Sequence, residues 1–223
     1  QTVHSAEDPD RSWLLERRGK VVLAYSPETE HMVVPTWDSL ERSFSLIEDL
    51  LGWSIDQELT VVISDHLDVS NGWARVLPYP DIHLLVFPPP LDSALAGPGA
   101  WWDRLVLHEL LHVTHLLRAG GVHALLNKVL GPIDYPNQRL PRWFIEGLAV
   151  WVESHDGVGG RLNHPAFLGR KRITLMEQPP LSIDRLTTGP IDPPGGTAAY
   201  MFGADFVRFL AGEYGGARAL KAF

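Results

Sequence analysis

Residues 101–119 read WWDRLVLHELLHVTHLLRA, and the rest of the chain is best understood outward from them. Val106, Leu110, Val113 and Leu117 recur at three- and four-residue steps, which predicts an amphipathic helix stopped by Gly120-Gly121. Its other side carries Arg104, His108, His112 and His115. Residues four apart on a helix stack on one face, so His108 and His112 can both reach a single metal ion. Glu109, between them, is turned away from that ion but can reach a water on it and take its proton.

Hydrolysis at such a centre needs a third protein ligand and an open fourth position. A third histidine of the metzincin kind would require Gly at 115 and His at 118, where this chain has His115 and Arg118. A glutamate on a second helix is the alternative, and WFIEGLA (143–149) supplies Glu146. A carboxylate in so apolar a run is costly unless paired or bound to a metal. Gly147 beside it removes a side chain where two helices approach closely. His155, Asp134 and Asp156 stand in reserve as ligands, and Glu153, two turns beyond Glu146, could orient a ligand imidazole.

The remaining elements follow from periodicity and punctuation. KVVLAY (20–25) and LTVVIS (59–64) predict strands, with a helix from Pro35-Thr36 to Gly52 between them. Ala74–Leu77 and Ile82–Phe87 predict two more strands, the latter either a plain core strand or an edge along which an extended peptide could add. Trp73 and Trp143 are the tryptophans placed to line a pocket. After the 101–119 helix come helices from Pro141-Arg142 to about His155 and from Thr197 to Tyr214, separated by irregular stretches at 156–170 and 177–194. The expected architecture is therefore α+β: an N-terminal arm over 1–19, a mixed sheet with a helix and the histidine helix over 20–120, and a helical subdomain over 121–223.

Composition narrows the function. The 223 residues are 45% hydrophobic and 21% charged, enough to bury a core without staples. Nineteen Lys and Arg against 27 Asp and Glu give a net charge of −8, which argues against a nucleic-acid partner. No cysteine is present, so disulfide scaffolds, Cys-ligated zinc fingers and cysteine nucleophiles are excluded. No apolar run approaches a membrane span. The chain starts at Gln1 and stops inside an apparent helix, and so reads as a piece of a longer protein.

HELLH followed by PRWFIEGLAVWVE (141–153) resembles the gluzincin metallopeptidases, in particular the bacterial peptidase MA-like group. SLERSFSLIEDLLGW, NGWARVLPYPDIHLLVFPPP and AAYMFGADFVRFLAGEYG are similar to segments flanking the motif in that group. The resemblance implies a zincin-like fold and one zinc ion held by His108, His112 and Glu146. It implies Glu109 as general base and acid, and Tyr200 as donor to the tetrahedral intermediate. It further implies a peptide or protein substrate, a C-terminal TolB-like β-propeller in the full-length protein, and a secreted or periplasmic location. The gap between HELLH and Glu146 is longer than in aminopeptidases, and no GAMEN-like signature is present, so a free-amine specificity is not implied. The rival reading is a non-catalytic, metallopeptidase-like binding or scaffold module of a bacterial envelope protein, against which the intact Glu109 counts.

Overall fold

The computed structural model describes residues 2–4, 12–90, 93, 101–131, 133–155, 160–177, 182–188 and 195–221. Strands β1 (Thr2–His4), β2 (Ser12–Arg18), β3 (Val21–Tyr25), β4 (Leu59–Ser64), β5 (Gly72–Arg75) and β6 (Asp81–Leu85) form one mixed sheet in the order β1-β2-β3-β4-β6-β5. Strands β3, β4 and β6 run parallel, and the other neighbours are antiparallel. The parallel centre is built from Val21, Leu23, Val61, Ile63, Ile82 and Leu84, all buried, as expected where a parallel sheet is covered.

Two strand expectations need correction. Residues 12–18 are not an arm: they are β2, paired antiparallel along the whole of β3 from Leu14↔Tyr25 to Arg18↔Val21. The charges of Glu16, Arg17 and Arg18 hid this, because on an exposed strand flank they make ion pairs such as Arg17 with Glu58 at 2.6 Å. Of the two readings of Ile82–Phe87, the core strand holds and the edge does not. The chain turns back before it, so β5 pairs outside β6 and becomes the edge strand.

Helix α1 (Val33–Leu51) crosses from β3 to β4, burying Trp37, Leu40, Ile47 and Leu51. It ends where predicted: Gly52 adopts φ 65°, and its N–H donates to the Glu48 carbonyl at 2.7 Å. The histidine helix is α2 (Trp101–Leu116), which packs on α1, on the β5–β6 side of the sheet and on α4 (Arg142–Glu153). Trp102 Nε1 donates to Thr36 Oγ1 at 3.2 Å, and Arg42 pairs with Asp103 at 2.6 Å, so α1 fixes the start of α2. The apolar stripe lies where the spacing put it, with Val106, Leu110 and Val113 almost wholly buried.

Helix α3 (Gly121–Leu130) begins at the Gly-Gly that reads as a stop. After α4 come α5 (Pro165–Glu177) and α6 (Ile183–Thr188), in stretches the sequence suggests are largely irregular. Then follow α7 (Thr197–Glu213) and the short α8 (Ala217–Leu220). Helices α4 and α7 touch backbone to backbone. A Cβ on Gly147 would stand 2.3 Å from the carbonyl carbon of Gly203, and one on Gly203 would stand 2.1 Å from the Trp143 carbonyl oxygen. Only two glycines permit this crossing, which sets α7 directly beside Glu146.

His115 also departs from expectation. It faces the core, 1% exposed, rather than the histidine face. Its ring stacks on Trp53 at 5.4 Å and 8°, and neither ring nitrogen has a hydrogen-bond partner among the described residues. Burial, with the positive fields of His112 and Arg118, pushes its pKa down to about 3.

Two predictions follow from this packing. Gly203→Ala should destabilise the protein by roughly 1–3 kcal/mol or more through overpacking, read as a lowered urea midpoint at unchanged slope; an unchanged midpoint would refute the backbone contact. His115 stays neutral when folded but takes a proton near pH 6.5 when unfolded, so it costs stability as pH falls below that value. This loss runs at about 1.4 kcal/mol per pH unit. His115→Phe should flatten the loss between about pH 6.5 and 4, and an identical slope in the variant would contradict the assignment.

Candidate metal centre

Two helices meet at the site. His108 and His112 project from α2, one turn apart, and Glu146 projects toward them from α4. His112 Nε2 lies 3.1 Å from His108 Nε2 and 3.2 Å from Glu146 Oε2, and His108 Nε2 lies 3.3 Å from the same carboxylate oxygen. Three lone-pair donors thus form a nearly equilateral triangle. A tetrahedral ion with bonds of about 2.0–2.1 Å would space adjacent ligand atoms about 3.3 Å apart, so the triangle fits one. These three groups could together hold a metal ion.

The cluster asks for positive charge at its centre. Burial and Arg161 both work against protonation of His108, yet Glu146 and Glu153 outweigh them and push its pKa up to about 9. Burial likewise opposes ionisation of Glu146, but hydrogen bonds from His108 and His112 hold its carboxyl far below the ordinary carboxylate range. Its second oxygen, Oε1, faces Arg142 Nε at 3.5 Å.

Behind His108 stands a supporting pair. Glu153, at the end of α4 and wholly buried, places Oε2 3.3 Å from His108 Nδ1. A proton on Nδ1 would bond this carboxylate and leave the Nε2 lone pair aimed at the cluster. Arg161 grips Glu153 at two points, Nε to Oε1 at 2.6 Å and Nη2 to Oε2 at 2.9 Å. These bonds, with the field of Arg161, hold the Glu153 pKa down at about 2 despite burial. Arg161 Nη2 also lies 2.6 Å from His108 Nδ1, a contact that suits only the other tautomer.

The cluster opens into a cavity of about 650 Å³ between β5, α2, α5 and α7, lined in part by Trp73, Arg104, Glu109, Phe167 and Tyr200. Glu109 is 5% exposed and leans on the edge strand: a Cβ on Gly72 would come within 2.9 Å of Glu109 Cγ and 3.1 Å of its Oε1. Glycine at 72 thus lets the carboxylate lie flush against β5. Tyr200 stacks on His108 with ring centroids 6.0 Å apart. Burial, reinforced by Glu146, pushes its pKa up to about 12, so its hydroxyl keeps its proton.

Every residue of the predicted set, His108, Glu109, His112, Glu146 and Tyr200, lines this cavity. The reserve ligands do not join them. Asp134 is engaged by His123 and Arg139, His155 packs on Trp151, and Asp156 lies outside the described residues. Trp143 packs on Phe144 and Phe206 in the core instead of lining the cavity. Arg161 is the residue that sequence reasoning missed: a lone arginine after an irregular stretch gives no signal, and only the carboxylate it must neutralise points to it.

Comparison with protein-family models and with curated proteins finds no match.

In the metal-free protein His108 holds a proton below about pH 9, so a metal must expel it. Apparent metal affinity should rise roughly tenfold per pH unit from about pH 7 toward 9 and fall on acidification, measured by chelator competition across that range. An affinity independent of pH would contradict the charge balance described.

Proposed function

We propose that the protein is a zinc-dependent metallopeptidase of the gluzincin kind. The observation that carries this reading is the juxtaposition of the His108–His112–Glu146 triangle with a second carboxylate, Glu109, and an edge strand, all on one cavity. The likeness of HELLH and PRWFIEGLAVWVE to the bacterial peptidase MA-like group supports it, and on this reading the mixed sheet and helices form a zincin-like domain. A zinc ion in the triangle would supply Lewis acidity, lowering the pKa of a water to about 7 and polarising the scissile carbonyl.

The chain's own residues do the rest. An extended substrate pairs with the outer edge of β5, which brings a scissile peptide bond over Glu109. Glu109 accepts the proton of the attacking water and passes it to the leaving amine. Tyr200, kept protonated by its surroundings, donates to the developing oxyanion. Glu153 and Arg161 hold the His108 imidazole in register, and Arg142 steadies the outer oxygen of Glu146. The substrate is a peptide or protein, the full-length protein carries a C-terminal TolB-like propeller, and it works in the bacterial cell envelope.

Glu109→Gln removes the proton carrier and leaves the triangle intact. It should bind zinc stoichiometrically while kcat/KM for peptide cleavage falls by roughly 10²–10⁴. A fully active variant would refute the role of Glu109. Zinc-loaded wild type that cleaves nothing in a diverse peptide library would favour the non-catalytic module instead.

A further inference from the structure

Helix α3 is turned inside out. None of its ten residues is buried, and its apolar side chains face solvent: Val122 is 70% exposed, Leu125 62% and Val129 71%. Leu130 and Ile133 extend the patch at 61% and 54%. The polar side is tied to the loop that follows the helix. Asn127 Oδ1 accepts the backbone N–H groups of Ile133 and Asp134 at 3.1 and 2.9 Å, and its Nδ2 donates to the Asp134 carbonyl at 2.7 Å. His123 Nδ1 meets Asp134, which Arg139 also holds at 2.8 Å. These bonds hold Asn127 and His123 against residues 133–134 and leave Val122, Leu125, Leu126 and Val129 on the solvent side. A fixed apolar patch of this kind on a soluble surface marks a contact site.

Charge identifies the partner. In a chain of net charge −8, the run from Leu110 to Ile133 holds no Asp or Glu. It carries Arg118 and Lys128, and the exposed Lys128 flanks the apolar arc. An apolar stripe edged by Lys128 and by the exposed Arg139, whose partner Asp134 is the neighbouring carboxylate, matches an anionic phospholipid surface. Ten residues, about 15 Å of helix, are too short to cross a bilayer and must lie in its plane. A second copy fits less well, because its own α3 arc offers no carboxylate to meet Lys128.

We infer that α3 is an interfacial anchor by which the protein docks on anionic membranes. This inference does not depend on the metal centre, which sits on other helices. The test is co-sedimentation of the chain with phosphatidylcholine vesicles, with and without phosphatidylserine. The wild type should pellet with the phosphatidylserine vesicles, release as salt rises, and stay soluble with phosphatidylcholine alone. L125E/V129E, altering two exposed side chains, should stay in the supernatant with unchanged thermal unfolding. K128E, which touches no apolar contact, should bind severalfold more weakly. Wild type that remains in the supernatant with anionic vesicles overturns the inference, as does a double variant that pellets like wild type. A concentration-dependent dimer in light scattering, abolished by L125E/V129E, overturns it in favour of self-association.

Discussion

Glu146 is a carboxylate set in an apolar helix, and such a group persists only if positive charge is brought to it. The structure around it can be read as the answer to that constraint. Two imidazoles from α2 converge on one of its oxygens, and Arg142 faces the other. A second buried carboxylate, Glu153, stands behind His108 and is itself neutralised by Arg161. Removing one member would strand a charge among the others, which is why buried ionic groups of this kind act as a unit. The excess of carboxylate over fixed cation around His108 is what makes the centre receptive to a proton or a metal ion.

Backbone geometry brings these groups within reach. The glycine-on-glycine crossing of α4 and α7 carries Tyr200 to the same cavity as Glu146. On the opposite wall Gly72 lets the edge strand lie against Glu109. At both places the absence of a side chain, rather than the presence of one, sets the distance. The cavity is thus bounded by the edge strand β5 and by a helix face bearing the donors.

Much of the centre was legible in the sequence because its signals are local. Four-residue spacing puts His108 and His112 on one face whatever the tertiary fold, and an isolated glutamate in WFIEGLA announces a partner. The same logic marked Glu153, seven residues on, as a possible orienting group. What was not legible depends on long-range placement. His115 has the spacing of a site residue, but Trp53, distant in the chain, turns it into a core ring. Strand β2 reads as polar because its charges pair across the surface, and the edge role of β5 follows from a reversal that no periodicity reveals. Helices α3 and α5 escape notice for a common reason: residues such as Val122, Leu125, Ile173 and Met176 face solvent, so no buried stripe betrays the helix.

The central claim, one ion gripped by both helices, is tested most directly by anomalous diffraction at the zinc edge from crystals grown with zinc. The account predicts a single peak about 2.0–2.1 Å from His108 Nε2, His112 Nε2 and a Glu146 carboxylate oxygen. A peak elsewhere on the chain, or one beside the two imidazoles with Glu146 turned away, would contradict it.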